Sequence, residues 1–186
     1  MDAQVNSWAS SIQISSFTLV AEGISFAFDT YTLILLTLVV GAILFILHQW
    51  KSSLLLGSSM AGDAVLVLVC KTFILSPRPI NEVIPETGNS FPSGHVAGTL
   101  VFFGVLTYLA WQRWKSSKVK VSISALYVAV TCVVSFDRIY LNVHWFSDVI
   151  GASLLGAFWL AFVLFTFQNL TSRFSKAKTL PAERKP

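Results

Sequence analysis

Six stretches of mostly apolar residues follow one another along the chain, each near the roughly 20 residues that a helix needs to cross a bilayer. Residues 31–48 form the cleanest, with no acidic or basic side chain other than the terminal His48. Residues 11–28 form the weakest, interrupted by Gln13, Glu22 and several serines. Residues 53–74 carry Asp63 inside the run, and the fourth stretch begins at the Pro92-Ser93 step and ends near Trp111. The last two cover about 119–140 and 145–167. This pattern predicts an all-α, polytopic membrane protein: one bundle of six transmembrane helices over about 11–167, followed by a basic tail at 168–186. No internal repeat or low-complexity segment suggests a second domain.

Composition agrees. Of the 186 residues, 54% are hydrophobic and only 12% charged, against roughly 25% charged in soluble domains, and the mean hydropathy is +0.69. A core of this size cannot bury that much apolar surface, so the excess faces lipid. Disordered, collagenous, disulfide-knot and nucleic-acid-arm readings fail on the same ground. Cys70 and Cys132 lie inside apolar runs and behave as small hydrophobes, with neither a disulfide framework nor metal spacing. No Lys or Arg precedes Lys51, so no cleavable signal is expected.

The net charge of +4 is mainly a topology signal. Lys51, the group Arg113, Lys115, Lys118 and Lys120, and the group Arg173, Lys176, Lys178, Arg184 and Lys185 are ten of the 13 Lys and Arg residues. In a six-span topology all ten share one side, which the positive-inside rule makes cytoplasmic, with Trp50, Trp111 and Trp114 at that boundary. Both termini are then expected in the cytoplasm of a multi-pass protein of the cell membrane.

Lys71, Arg78 and Arg138 fall on the opposite side, with His95, His144, Glu82, Glu86, Asp137 and Asp148. Ionisable groups at membrane depth mark a functional site by default. Arginine offers a planar fork suited to phosphate oxygens and lysine a point charge. Ser93 and Gly94 open a helix whose first N–H groups lack intrahelical partners, an arrangement that attracts anions. Together they describe a cradle for a tetrahedral dianion. His144 and Asp148, four apart, share a helix face, so Asp148 holds one ring nitrogen and leaves the other as a nucleophile. His95 enters from another helix and is placed to protonate a leaving oxygen. The cations stand where clustered metal ligands would otherwise be, so no metal and no cofactor is expected.

Three segments carry these groups: Lys71-x6-Arg78-Pro79, Pro92-Ser93-Gly94-His95, and Arg138-x5-His144-x3-Asp148. In this order they closely resemble the signature of the type 2 phosphatidic acid phosphatase family, which shares its active site with vanadium haloperoxidases. The resemblance implies a catalytic set of His144 as nucleophile, Asp148 as its partner and His95 as acid. It assigns phosphate binding to Lys71, Arg78, Ser93, Gly94 and Arg138. One position departs: Asp137 stands where the family usually has Ser, and a carboxylate there must face away from a bound dianion or pair with a cation.

Other polar residues have plainer readings. Asp63 and Glu22 are expected to hydrogen-bond across the bundle, Glu82 and Glu86 to be solvated in the outer loop, and Trp145 to anchor at the interface. Glu22 has a second possible role, near the substrate entrance. A site at headgroup depth suits a lipid phosphate as partner, not nucleic acid. Small members of the family often recycle carrier lipids, so a polyprenyl diphosphate leads, with phosphatidate and phosphatidylglycerol phosphate behind it. The expected activity is metal-independent hydrolysis through a phosphohistidine. The rival functions are a lipid phosphotransferase using the same site and a non-catalytic phospholipid binder or transporter.

Overall fold

A computed structural model describes the backbone of residues 1–179 and the side chains of 1–172. The described residues form seven helices and no strand: α1 (Asp2–Ser11), α2 (Ser15–Ala27), α3 (Thr30–Ile46), α4 (Trp50–Phe73), α5 (Gly94–Arg113), α6 (Ser117–Tyr140) and α7 (Phe146–Thr179). The most buried is α5, in which every residue from Val96 to Phe102 is shielded, as are Gly104 and Val105. It packs against α3, α4, α6 and α7. Small residues permit the close approach, as they do between helices in lipid: Gly104 lies against Leu160 and Gly62 against the Trp159 ring, each leaving no room for a Cβ. The outer faces of α3, α4, α6 and α7 expose Leu35, Leu68, Leu126 and Phe158, a surface suited to hydrocarbon.

The membrane-protein class stands, but the helix count differs from the six predicted spans. Among the described residues, α4, α5, α6 and Phe146–Ser172 of α7 are long and apolar enough to cross a membrane, and α2 with α3 forms a fifth candidate bent by 48°. The difference is one of length: α2 has 13 residues and α3 has 17, each short of the roughly 20 of a full span. The break is capped by Asp29, whose carboxylate accepts from the Thr32 N–H at 2.5 Å.

Unlike the apolar runs, α1 is a short helix of low hydropathy that the 20-residue criterion passes over. It packs on α6 and the start of α7; the Asp2 carboxylate accepts from the backbone N–H of Ser147 at 3.0 Å and from its hydroxyl at 2.7 Å. The far part of α7 runs to the other end of the bundle, where Phe167 meets Tyr108 near the end of α5. α1 and the far part of α7 therefore lie at opposite ends of the bundle. The last span also continues beyond residue 167, and the basic-tail positions 180–186 lie outside the described residues.

Candidate active site

Because α4, α5, α6 and α7 alternate in direction, the end of α4, the start of α5, the end of α6 and the start of α7 meet at one end of the bundle. Each sequence-predicted site residue sits at one of these four ends or in the 74–93 connection. The end of α6 is a tight reversal: the Asn142 N–H donates to Ile139 O at 3.0 Å, and the Val143 N–H to Arg138 O at 3.3 Å. Asn142 takes the left-handed conformation, with φ of 53°. This is the two-bond stop found at many helix C-termini, with Asn in the place Gly usually holds. It turns the chain back so that His144 lies beside the residues α6 has just delivered.

His144 is only 2% exposed, and its Nδ1 lies 3.5 Å from Asp148 Oδ2. The same Asp148 oxygen accepts from the Trp145 N–H at 2.8 Å, so the carboxylate closes the first turn of α7 and faces the imidazole at once. Burial pushes the His144 pKa down from its ordinary value; Asp148 pulls it up, and the nearby Arg78 and Lys71 push it down again. A neutral ring results, with one nitrogen turned to Asp148.

Two cations, Arg78 and Lys71, lie near enough to act on this ring, and a third, Arg138, sits beside His95. Lys71 Nζ donates to Asn89 O at 2.5 Å, while the Asn89 amide donates to Lys71 O at 2.8 Å. Arg78 donates from Nη1 to Val143 O at 2.7 Å, from Nε to Gly88 O at 3.2 Å and from Nη2 to Thr87 O at 3.1 Å. Arg78 thus ties the outer loop to the turn bearing His144, leaving two of its five donors for a ligand. Arg138 is fully buried. Its Nη1 lies 3.3 Å from His95 Nε2, and its Nε and Nη2 donate to Asp137. Asp137 therefore pairs with a cation, one of the two arrangements expected of it.

Ser93 precedes α5, and its Oγ is buried with no partner among the described residues. The backbone of Gly94 and His95 opens the helix beside it, leaving first-turn N–H groups free for an anion. The residues expected to bind or act on phosphate, Lys71, Arg78, Ser93, Gly94, His95, Arg138, His144 and Asp148, all meet at this end. Among the described residues, no group of three or more His, Cys, Asp or Glu could hold a metal ion.

Residues 52–172 match the family model of the PAP2 superfamily. The chain belongs to this superfamily. It is 29% identical over 157 residues to phosphatidylglycerophosphatase B of Bacillus subtilis, covering 83% of this chain and 77% of that protein. It is 31% identical over 105 residues to a putative undecaprenyl-diphosphatase of Escherichia coli, covering 52% of this chain and 48% of that protein. The fold resembles the crystal structure of a transmembrane PAP2-type phosphatidylglycerolphosphate phosphatase from Bacillus subtilis, with a TM-score of 0.84, 26% identity, and coverage of 90% of this chain and 85% of that one. Membership and relatives together make the chain a phosphoric ester hydrolase of the membrane lipid-phosphatase type.

Several polar residues behave differently from their sequence reading. Glu86 is not a solvated loop residue: its Oε1 lies 3.5 Å from Arg138 Nη1 and its Oε2 lies 3.7 Å from Arg78 Nη2. Among the described residues, Glu82 Oε2 is buried without a partner, and so is Asp63 Oδ1, which lacks the expected bond across the bundle. Trp145 Nε1 donates to Pro77 O at 2.7 Å, so the indole locks the outer loop onto α7. Glu22 and Glu86 both line a cavity of about 440 Å³ that reaches His95, consistent with a place for Glu22 near an entrance. Asn6, Asn89 and Asn142 went unnoticed because an isolated Asn carries no motif.

Proposed function

We propose that the protein is a metal-independent lipid phosphatase that works through a phosphohistidine on His144. The observation that carries this reading is a buried His144 whose Nδ1 lies 3.5 Å from Asp148, at the same end of the bundle as Lys71 and Arg78 and as Arg138 beside His95. Substrate phosphate binds against the three cations, the Ser93 hydroxyl and the free N–H groups at Gly94 and His95. His144 Nε2 attacks phosphorus as the bond to the leaving oxygen breaks, and His95 gives that oxygen its proton. Water then gives a proton to His95 and attacks phosphorus; the P–N bond breaks, orthophosphate leaves and both imidazoles return to their starting state. The cations stabilise the charge on the equatorial oxygens in both steps.

The site belongs on the extracytoplasmic side. Lys51, Arg113, Lys118 and Lys120 lie at the opposite end of the bundle, and the positive-inside rule makes that end cytoplasmic. A polyprenyl diphosphate leads as substrate, in keeping with the relative named for undecaprenyl diphosphate, and phosphatidylglycerol phosphate follows, in keeping with the relative named for that lipid.

The test is phosphate release by purified protein in detergent with EDTA present, over a panel of lipid phosphates. Release that survives EDTA, is blocked by orthovanadate and disappears in His144→Ala is the expected result. Strict dependence on Mg²⁺ would refute it. Transfer of phosphate to a second lipid in place of water would identify a phosphotransferase, and binding without release by the wild type would identify a carrier.

A further inference from the structure

The turn that carries His144 is held from two directions. From the outer loop, Arg78 Nη1 donates to Val143 O and Trp145 Nε1 to Pro77 O. From the other direction comes α1, whose polar residues Asp2, Asn6 and Ser10 recur every four positions and so share one helix face. All three bond the same short segment. Asn6 Nδ2 donates to Asn142 Oδ1 at 3.0 Å and lies 3.4 Å from His144 O. Asn142 Nδ2 donates to Ser10 Oγ at 2.6 Å. Asp2 accepts twice from Ser147. Beyond the helix, Gln13 Nε2 donates to Tyr140 O at 2.7 Å. Asn6 is only 7% exposed and Asn142 only 1%, so these bonds form away from water, where losing a partner costs most.

We propose that α1 is a strap that positions the nucleophile, with Asn6 as its central positioning residue. This rests on the reading of His144 as the attacking group. Asn142 is the hinge of the arrangement: its left-handed backbone reverses the chain, and its side-chain amide is gripped by Asn6 through the oxygen and by Ser10 through the nitrogen. Val143 and His144 follow it directly. Asn6 also reaches the His144 carbonyl, so one side chain restrains both the turn and the backbone of the catalytic residue. Without the strap, the ring shifts relative to Asp148 and to the phosphorus it attacks, and a misplacement of about 1 Å is enough to cost roughly a hundredfold in rate. The strap touches no substrate; its effect is on the rate of attack and not on the affinity for phosphate.

The experiment compares phosphate release by the full chain in detergent for wild type, Asn6→Ala, Asn142→Gly, the double variant and His144→Asn, with active sites counted by orthovanadate titration. Asn6→Ala is expected to lower kcat per active site by about ten- to a hundredfold with KM within about twofold. The acid limb of its pH profile moves up toward the ordinary histidine value of about 6.5 as water reaches the ring. The double variant should be no slower than the slower single one, because both break the same contact. A kcat per active site within about twofold of wild type, or additive losses in the double variant, overturns the strap. If Asn6→Ala fails to assemble, the kcat of Asn142→Gly decides instead, since Gly keeps the left-handed turn while removing the side-chain bonds to Asn6 and Ser10. His144→Asn separates the two readings. If it still releases phosphate, the nucleophile assignment falls and the strap with it. If it is inert while Asn6→Ala runs at full speed, only the strap falls.

Discussion

Glu86 holds its carboxylate 3.5 Å from Nη1 of Arg138, against the guanidinium fork that a substrate phosphate needs. The second carboxylate oxygen faces Arg78 at 3.7 Å, so one loop carboxylate is shared between two of the three cations at this end. A dianion that enters must displace this carboxylate or share the arginines with it.

Glu86→Gln should therefore tighten anion binding. Removing a competing charged hydrogen-bond acceptor, worth about 1.5–3 kcal/mol, is expected to lower the inhibition constant for orthovanadate and for orthophosphate by about tenfold. Inhibition titrations check this, and weaker inhibition by both anions would show that Glu86 helps to hold the phosphate.

Asp148→Asn keeps the shape of the α7 first turn and removes the charge that faces His144 Nδ1. The expected loss in kcat is about 10²- to 10⁴-fold, as for other carboxylates that orient a catalytic imidazole. Orthovanadate affinity should change far less, because the three cations remain. A parallel loss of both would place Asp148 in anion binding.

The pH dependence follows from burial. The His144 pKa lies below its ordinary value in the folded protein, and only the neutral ring attacks. The acid limb of kcat/KM assigned to His144 should then fall below about pH 6.5. The same shift has a stability consequence. Below about 6.5 the unfolded chain binds a proton at this histidine that the folded chain refuses, so acidification through that value favours unfolding. Rate profiles and thermal unfolding across about pH 5–8 measure the two effects. An acid limb above about 6.5 would contradict the burial argument.

Gly104→Val tests the packing of α5 on α7. The added side chain meets Leu160 with no space to occupy, and overpacking of this kind costs about 1–3 kcal/mol. The midpoint of thermal unfolding in detergent should fall, while the KM of the residual folded protein stays unchanged because Gly104 lies about 15 Å along α5 from Gly94.

Much of the catalytic end was legible in the sequence because its chemistry is written locally. Lys71, Arg78, Ser93, His95, Arg138, His144 and Asp148 sit in three short segments whose spacing is meaningful by itself, and the structure brings those segments together. Asp137 was legible only as a choice between facing away and pairing with a cation, and the structure selects the pair with Arg138. Glu86 was not: 52 positions separate it from Arg138, and in the sequence it looks like any acidic loop residue. Nor was α1, in which a polar face at residues 2, 6 and 10 has no visible purpose until α6 and α7 supply the groups it bonds.

Burial in lipid is a property that each segment has alone. The lengths of the apolar runs therefore determined an all-helical membrane protein, and the three motifs determined which residues form its charged end. Pairing of polar groups is a property of two segments, and only the folded chain specifies it. That is why the tertiary structure decided where the chain bends between α2 and α3, why α1 packs beside the turn bearing His144, and how Asn6 meets Asn142 across 136 positions.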